Sequence, residues 1–433
     1  MNLNKLKIMV FQASVERVNS ILMFLLIISL LFKEHWISKS YILIGIYLIF
    51  LFIKKRLELK KINFYGFLLF FLFAVFSLIW SINVKSSLPK LVSFLPFIFI
   101  PIWTSSLNSK IKYDIIFKYV GLIFMLISLT TILIAFYRYN SSHQVSEFYY
   151  HTLASPLSTN AIYTSLLYSI IFLFNLFFLL KKKEKISIFS YLTLIVIAIY
   201  IFLLSSKLMT VLLIFSTCII LYPSLKLKFD NYKLIPIGLV IIISILFMLV
   251  LSNNNISKRF EKILNIEKVK EVYSLNEFGD NYLWNGLNLR LLQLRAFYEI
   301  EKKNDFNSLL GVGLNNGQVL LNKKYREYKM YTGKPWEEKG GYLTYNFHNQ
   351  YTQTLIEMGI IGFLFLIYIY YSLFVIGLKT NNFLLFTIIF TFILIMFTES
   401  ILVRQKGIVI FVLFPLIAIK AKEYLDQKIF LDE

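Results

Sequence analysis

The stretch Phe347 to Gly362 reads F-H-N-Q-Y-T-Q-T-L-I-E-M-G-I-I-G and marks the place where a long polar segment gives way to an apolar one. After Glu357 the chain runs to Ile376 without another charged residue, which is long enough for a helix that crosses a membrane. His348 therefore stands at a predicted boundary between membrane and water. An imidazole, with an ordinary pKa of about 6.5, exchanges protons near neutral pH, so His348 is a candidate general base facing a lipid-borne substrate.

The composition of the whole chain is that of a membrane protein. Of its 433 residues, 58% are hydrophobic, against about 45–50% in a typical soluble domain. The formal net charge of +21 is divided among short clusters between apolar runs, which indicates loop charges that set topology rather than a nucleic-acid surface. The single cysteine, Cys218, lies in an apolar run, so neither a disulfide framework nor a thiolate metal site is expected.

The apolar runs predict an all-α polytopic integral membrane protein with about twelve transmembrane helices. Spans one to nine fall in residues 1–251, the ninth near Leu234–Leu251, and spans ten to twelve fall in residues 348–433. Residues 252–347 form one large loop between spans nine and ten.

Positive charge in the short loops predicts the orientation of the helices. Counted from a cytoplasmic N-terminus, the inner loops carry runs such as Lys54-Lys55-Arg56 and Lys181-Lys182-Lys183, whereas the alternate short loops carry few cations. The positive-inside rule then places both termini in the cytoplasm and the large loop outside.

The large loop has a helical pattern of its own. Leu291, Leu294 and Phe297 recur at helical spacing beside Arg290, which predicts a short amphipathic helix lying against the outer face of the membrane. A second such helix is predicted over Ser257–Tyr273.

The stretch G-V-G-L-N-N-G, from Gly311 to Gly317, resembles a phosphate-binding loop in composition only. It lacks the preceding strand and the Lys-Ser/Thr ending of such loops. We therefore predict a tight turn with backbone dihedrals that glycine adopts readily.

Asn349, Gln353 and Glu357 lie four residues apart and so share one face of the helix that follows His348. Polar groups are costly in hydrocarbon, so this face is expected to meet protein or a wet cavity. The spacing leaves open whether these residues orient His348 or only join helices.

Glu399 and Arg404 bracket the outer end of the eleventh predicted span. We expect a structural ion pair between them, with a contact to substrate as the alternative for either residue.

The order of these features resembles that of the O-antigen ligase and O-antigen polymerase superfamily, which comprises bacterial envelope glycan transferases. The block H-N-x-Y-x-Q-x-L-x-E-x-G-x-x-G from His348 to Gly362 carries most of the resemblance, and Arg290 with the turn at Gly311-Val312-Gly313 supports it. Where the family commonly has Ser-Arg at the start of a middle span, this chain has Ser205-Ser206-Lys207, so a point charge replaces a bidentate guanidinium.

The resemblance implies transfer of a glycan from undecaprenyl diphosphate to an acceptor hydroxyl, for example on lipid A core, at the periplasmic side of the bacterial inner membrane. It implies neither a metal nor a cofactor. Departure of the diphosphate concentrates negative charge, and Lys207 and Arg290 are the candidates to bind it. His348 would take the hydroxyl proton, and a single displacement would invert the anomeric carbon. Membrane lipids complete the expected partners, and Trp284 and Trp336 are candidates for stacking on sugar rings.

Two other functions have to be compared with this one. A polymerase would use the same chemistry with another lipid-linked repeat as the acceptor, and the sequence does not separate it from a ligase. A polysaccharide flippase would also have about twelve spans, but it would usually show two related halves with a site at the midplane. The division into nine and three predicted spans, without visible repetition, favours the transferase.

The predicted orientation is testable by thiol labelling in a Cys218→Ser background. A cysteine at Glu301, in the large loop, should react with a membrane-impermeant reagent in intact spheroplasts, whereas one at Lys54 should react only after permeabilisation. Labelling of Lys54→Cys in intact spheroplasts, with protection of Glu301→Cys, would overturn the orientation.

Overall fold

The computed structural model describes residues 3–55, 57, 65–107, 111–181, 187–204, 207–225, 266–303, 306–334 and 341–432. Within these ranges the chain is helical and contains no strand. The helices are α1 (Leu3–Ser29), α2 (Glu34–Ile53), α3 (Tyr65–Phe76), α4 (Val84–Phe94), α5 (Pro96–Ser106), α6 (Tyr113–Ser142), α7 (Tyr150–Ala154), α8 (Ala161–Lys181), α9 (Ile188–Leu203), α10 (Lys207–Leu225), α11 (Ile266–Ser274), α12 (Gly286–Glu301), α13 (Gly317–Glu327), α14 (Gln350–Thr380), α15 (Phe383–Ile395) and α16 (Gln405–Asp432).

Long apolar helices confirm the predicted class of helical membrane protein. Among the described residues, five helical segments are long and apolar enough to cross a membrane: α2, α4 with α5, α6, α8 and α14. Four shorter apolar helices accompany them, within α3, α9, α10 and α15. The total of about twelve spans stays a prediction, and the span predicted near Leu234–Leu251 lies outside the described residues.

Two helices form the centre of the bundle. Helix α8 is apolar on all sides and nearly all of its residues are buried, as expected of a helix that is surrounded by others. It packs against α6, α9 and α10. Every residue from Ile408 to Ala418 in α16 is also buried, and α16 packs against α5, α8 and α15. The other helices therefore keep one face toward the surroundings of the bundle.

The large loop has a hydrophobic cluster of its own. Helices α11, α12 and α13 contribute to it, together with Phe347 and Ile356 at the start of α14. The buried residues of the cluster are Val272, Leu289, Leu292, Ala296, Ile300, Leu321, Tyr325, Tyr328, Met330, Phe347 and Ile356. The loop is therefore a packed unit that shares its core with the beginning of a long apolar helix.

The amphipathic helix predicted in the loop is present as α12, and the residues that it buries in the loop core are not those of the predicted apolar stripe. Leu294 is exposed, and the buried apolar residues are Leu289, Leu292, Ala296 and Ile300. Both stripes have helical spacing, so the pattern alone fits either face, and packing against α11 and α13 selects the observed one. Of the second predicted helix, only the part from residue 266 onward is described, and that part is helical as far as Ser274.

A break in α14 joins the loop to the bundle. Gly359 has φ 61° and ψ −167°, a conformation that is essentially restricted to glycine. The amides of Ile360 and Ile361 bond to the carbonyls of Ser308 and Leu309, at 2.9 and 3.3 Å, instead of to the preceding helical turn. The carbonyls of that turn, at residues 356 and 357, accept the amides of residues 312 and 313, each at 2.9 Å. The loop segment thus replaces the helical hydrogen bonds that the break removes.

The glycine-rich stretch adopts the predicted tight turn. Gly311 and Gly313 have φ angles of 69° and 91°, and Asn315 has 63°. The buried side chain of Asn316 continues the turn, because its Nδ2 lies 2.6 Å from Ser81 Oγ and its Oδ1 accepts the amide of Asn83 at 3.1 Å. The turn therefore fastens the loop to the connection between α3 and α4 as well as to α14.

Gly359→Ala should destabilise the protein more than a matched change at Gly279. Both glycines have positive φ, which costs an alanine about 1–2 kcal/mol, but an added Cβ meets nothing at Gly279, whereas at Gly359 it would collide with the Leu309 carbonyl. We expect the larger fall in thermal unfolding midpoint for Gly359→Ala in detergent. Equal shifts for the two variants would contradict the role of the break.

Candidate active site

His348 is presented by a strained backbone immediately before α14. Its φ is 44°, in the left-handed region, and its amide donates to Asn346 Oδ1 at 2.9 Å. The cap of the helix is Asn349, whose Oδ1 accepts the amides of Tyr351 and Thr352 at 2.9 and 3.1 Å. His348 is therefore not needed as a cap, and its side chain remains 25% exposed.

The imidazole contacts a largely buried carboxylate. His348 Nδ1 lies 3.3 Å from Glu399 Oε2, and the Glu399 side chain is only 9% exposed. If Nδ1 carries the proton and donates it to this carboxylate, the lone pair at Nε2 is left to accept a proton from elsewhere. The contact thus selects the tautomer that a base at Nε2 requires.

The same carboxylate binds Arg290 of the loop helix α12. Arg290 Nη2 donates to Glu399 Oε1 at 2.8 Å, Nε donates to the Thr398 carbonyl at 3.0 Å, and Nη1 donates to the Gly286 carbonyl at 2.9 Å. A guanidinium has five N–H donors, so two are not used in these contacts. Arg290 is 32% exposed at its side chain.

The expected ion pair between Glu399 and Arg404 was wrong, because Glu399 is paired with Arg290 and His348 instead. Arg404 is exposed and directly precedes α16. A turn of 3-10 helix at Ile401–Val403 separates the two residues, and this turn directs them to different neighbours.

Two residues that sequence reasoning missed fix the segment around Glu399. The amide of Gln350 donates to Met396 O at 2.8 Å, and its side-chain Oε1 accepts the amide of Leu402 at 2.7 Å. The buried Lys90 Nζ donates to the carbonyl of Leu402 at 2.7 Å and to the next carbonyl at 2.5 Å. The sequence did contain a signal for Lys90, because it lies within an apolar span and charged residues in such spans usually have a specific partner.

Gln353 and Glu357 do not reach His348. Both are buried, and the amide of Gln353 donates to the Glu357 carboxylate. They lie against Gly317, where an added Cβ would come within 3.2 Å of either side chain. This polar face therefore meets protein, as expected, and it joins α14 to the glycine-rich turn.

Lys207 is the first residue of α10. The placement of its side chain, like that of Ser205, Ser206 and Trp336, lies outside the described part of the chain. The role of Lys207 stays a prediction.

An apolar groove lies on the surface of the helix bundle. It has a volume of about 510 Å³ and runs between α14 and α15. Its lining includes Leu355, Phe363, Ile367, Ile393, Tyr351 and Phe397. The rings of Tyr351 and Phe397 are 4.7 Å apart. These two lining residues stand three and two residues from His348 and Glu399, so this part of the groove is close in the chain to two members of the polar cluster.

These features define a helical membrane protein that has a cluster of an imidazole, a carboxylate and a guanidinium, and an apolar groove between α14 and α15. The particular family follows from comparison with known proteins. Residues 192–367 match the family model described as O-antigen ligase, which confirms the superfamily that the sequence motifs indicated. The matched region contains Arg290, the glycine-rich turn and His348, whereas Glu399 lies beyond it. A search of curated proteins found no match. At the family level, this match supports an O-antigen ligase or polymerase type of glycan-transferring membrane protein.

Proposed function

We propose that the protein moves a glycan from undecaprenyl diphosphate to an acceptor hydroxyl, on lipid A core or a similar glycan, at the periplasmic side of the bacterial inner membrane. The observation that carries the proposal is the His348–Glu399–Arg290 cluster at the mouth of α14. The reaction is metal-independent and inverts the anomeric carbon.

The imidazole acts as the general base. Nδ1–H of His348 donates to Glu399 Oε2, which orients the ring and stabilises the imidazolium that forms. Nε2 takes the proton of the acceptor hydroxyl as its oxygen attacks the anomeric carbon, and the bond to the diphosphate oxygen breaks with its electron pair. General bases of this kind contribute about 10²- to 10⁴-fold to the rate.

Protein cations bind the diphosphate that leaves. Arg290 holds Glu399 with one N–H and has further donors for a phosphate oxygen. Lys207 is assigned the same role by its position in the family motif. The exposed Arg404, at the start of α16, is a third cation of the same region. Asn349, Gln353 and Glu357 support the site through the cap and the loop anchor.

The apolar groove between α14 and α15 supports a lipid-linked donor. Its lining is apolar, so it suits a polyprenyl chain, which carries no polar group along its length. Tyr351 and Phe397 of the lining are close in the chain to His348 and Glu399, so a diphosphate attached to a chain in the groove would lie near the polar cluster. This arrangement favours a transferase over a flippase, whose site would usually lie at the membrane midplane.

The cation assignment predicts the effect of charge removal. Lys207→Ala and Arg290→Ala should each lower turnover by about 10- to 150-fold, because each loses a charge-assisted contact worth about 1.5–3 kcal/mol. Lys207→Arg should retain much of the activity. Arg326→Ala, which removes an exposed cation elsewhere in the loop, is the control. Turnover within twofold of wild type for both alanine variants would remove these residues from the site, and inhibition by chelator that a divalent ion reverses would indicate a metal.

The base assignment predicts that His348→Ala and His348→Gln lose about 10²- to 10⁴-fold in transfer rate while the donor still binds, because an amide cannot take up the proton. The assay uses purified protein and an undecaprenyl diphosphate-linked glycan, with and without a lipid A-core acceptor. His143→Gln, at the exposed end of α6, is the control.

The products of that assay decide between the related functions. A single transfer to core indicates a ligase, and a ladder of longer lipid-linked chains without core indicates a polymerase. Near-normal turnover of His348→Gln would make Glu399 the next candidate for the base. Donor binding without any transferred product would favour the flippase.

A further inference from the structure

Aromatic rings form a continuous row from the large loop to His348. Consecutive ring centroids lie 4.6 Å apart for Tyr282 and Trp284, 6.4 Å for Trp284 and Tyr342, 5.4 Å for Tyr342 and Tyr345, and 5.8 Å for Tyr345 and His348. We call the rings of Tyr282, Trp284, Tyr342 and Tyr345 the aromatic row. Neither the reaction chemistry nor the helix packing described above uses the row.

The row is partly open to solvent, most of all next to the base. Tyr345 is 41% exposed, and Tyr282, Trp284 and Tyr342 are half-buried. An aromatic ring that only served the loop core would be covered, as Tyr325 is beneath the row. Part of each ring is therefore open to a ligand.

The backbone beneath Tyr345 is held firmly although its ring is exposed. The Tyr345 carbonyl accepts Gln318 Nε2 at 2.9 Å and the Tyr325 hydroxyl at 3.4 Å. Burial raises the pKa of Tyr325 well above its ordinary value, so this hydroxyl stays protonated and donates. Gln293, itself buried, donates to the same hydroxyl at 2.9 Å. These bonds pre-organise the ring of Tyr345 beside His348.

The chemistry of such a row fits a sugar chain. A pyranose has an apolar face of C–H groups, which packs on the electron-rich face of an aromatic ring, and an edge of hydroxyls that needs polar partners. The amides of Gln318, Asn322 and Asn346 lie along the same part of the loop. The ring planes of Trp284, Tyr342 and Tyr345 are inclined to their neighbours by 71° and 51°, so each ring would contact a sugar separately.

The position of the base decides which sugar chain this is. In an inverting displacement, the acceptor and the leaving diphosphate lie on opposite sides of the anomeric carbon. The groove between α14 and α15 leads away from His348 among apolar residues, whereas the aromatic row leads away from it into the polar loop. The base must touch the acceptor hydroxyl, so the row lies on the acceptor side.

We propose, resting on the transferase function above, that Trp284, Tyr342 and Tyr345 form an acceptor subsite that stacks successive sugars of an oligosaccharide, with Tyr345 beneath the sugar that is deprotonated by His348. These residues bind and position the acceptor and take no part in proton transfer.

Acceptor kinetics test the subsite. Tyr345→Ala should raise the KM for a core oligosaccharide acceptor by about 2- to 12-fold, the equivalent of one aromatic contact of about 0.5–1.5 kcal/mol, and leave the donor KM and the kcat at saturating acceptor near wild type. Tyr345→Phe, which keeps the ring, should restore the KM. Tyr298→Ala, an exposed tyrosine of α12 outside the row, is the matched control. A raised donor KM with an unchanged acceptor KM would overturn the assignment.

Direct binding separates this proposal from the proposed function. Titration of wild-type protein with delipidated core oligosaccharide and with its terminal sugar alone should show tighter binding of the longer probe. Trp284→Leu should abolish the advantage of the longer probe while leaving binding of the single sugar unchanged. Failure of wild-type protein to transfer glycan would overturn the proposed function, but equal binding of both probes, or binding unaffected in Tyr345→Ala and Trp284→Leu, would overturn the subsite.

Discussion

The break in α14 at Gly359 is the constraint on which the site depends. A helix within a membrane has no water to satisfy the backbone groups that a break releases, and each unsatisfied group is costly. The loop segment Ser308–Gly313 supplies the missing hydrogen-bond partners, so the break is stable only while this segment is bound to α14. The same seating positions α12, with Arg290, against the N-terminal turn of α14, where His348 lies. Backbone hydrogen bonding thus positions Arg290 of the loop relative to His348, which directly precedes the cap of α14.

A single carboxylate organises the charges of the site. Glu399 is almost fully buried, and a buried carboxylate is stable only when hydrogen bonds and opposite charge compensate for lost hydration. Arg290 supplies the charge and His348 supplies the second contact. Lys90 serves the neighbouring turn in the same way, by donating to carbonyls that no helix satisfies. The cluster therefore holds an imidazole in one tautomer without closing access to its other nitrogen.

The surroundings of His348 differ on its two sides. An apolar groove lies between α14 and α15, and an aromatic row with polar neighbours lies on the loop. A substrate with a long apolar tail and a polar glycan acceptor have opposite requirements for desolvation, so the two surfaces suit the two reactants of the proposed transfer. His348 is adjacent to the aromatic row and stands three residues from Tyr351 of the groove.

The sequence by itself determined the class of protein and the need for a glycine turn. In a membrane, a long uncharged run can satisfy all its backbone hydrogen-bonding groups by forming a helix. Gly311 and Gly313 have the positive φ angles that their residue type indicated. Tertiary structure alone decided the buried face of α12 and the partner of Glu399. Helical spacing fits two stripes of α12 equally well, and the choice depends on which helices pack there. Arg290 and Glu399 are 109 residues apart in the chain, and they meet because the loop packs against the break in α14. Arg404 is much nearer to Glu399 in sequence, but a 3-10 turn lies between them and they do not pair. The local sequence shows which polar and charged groups need partners. Which residue becomes the partner depends on packing between distant parts of the chain.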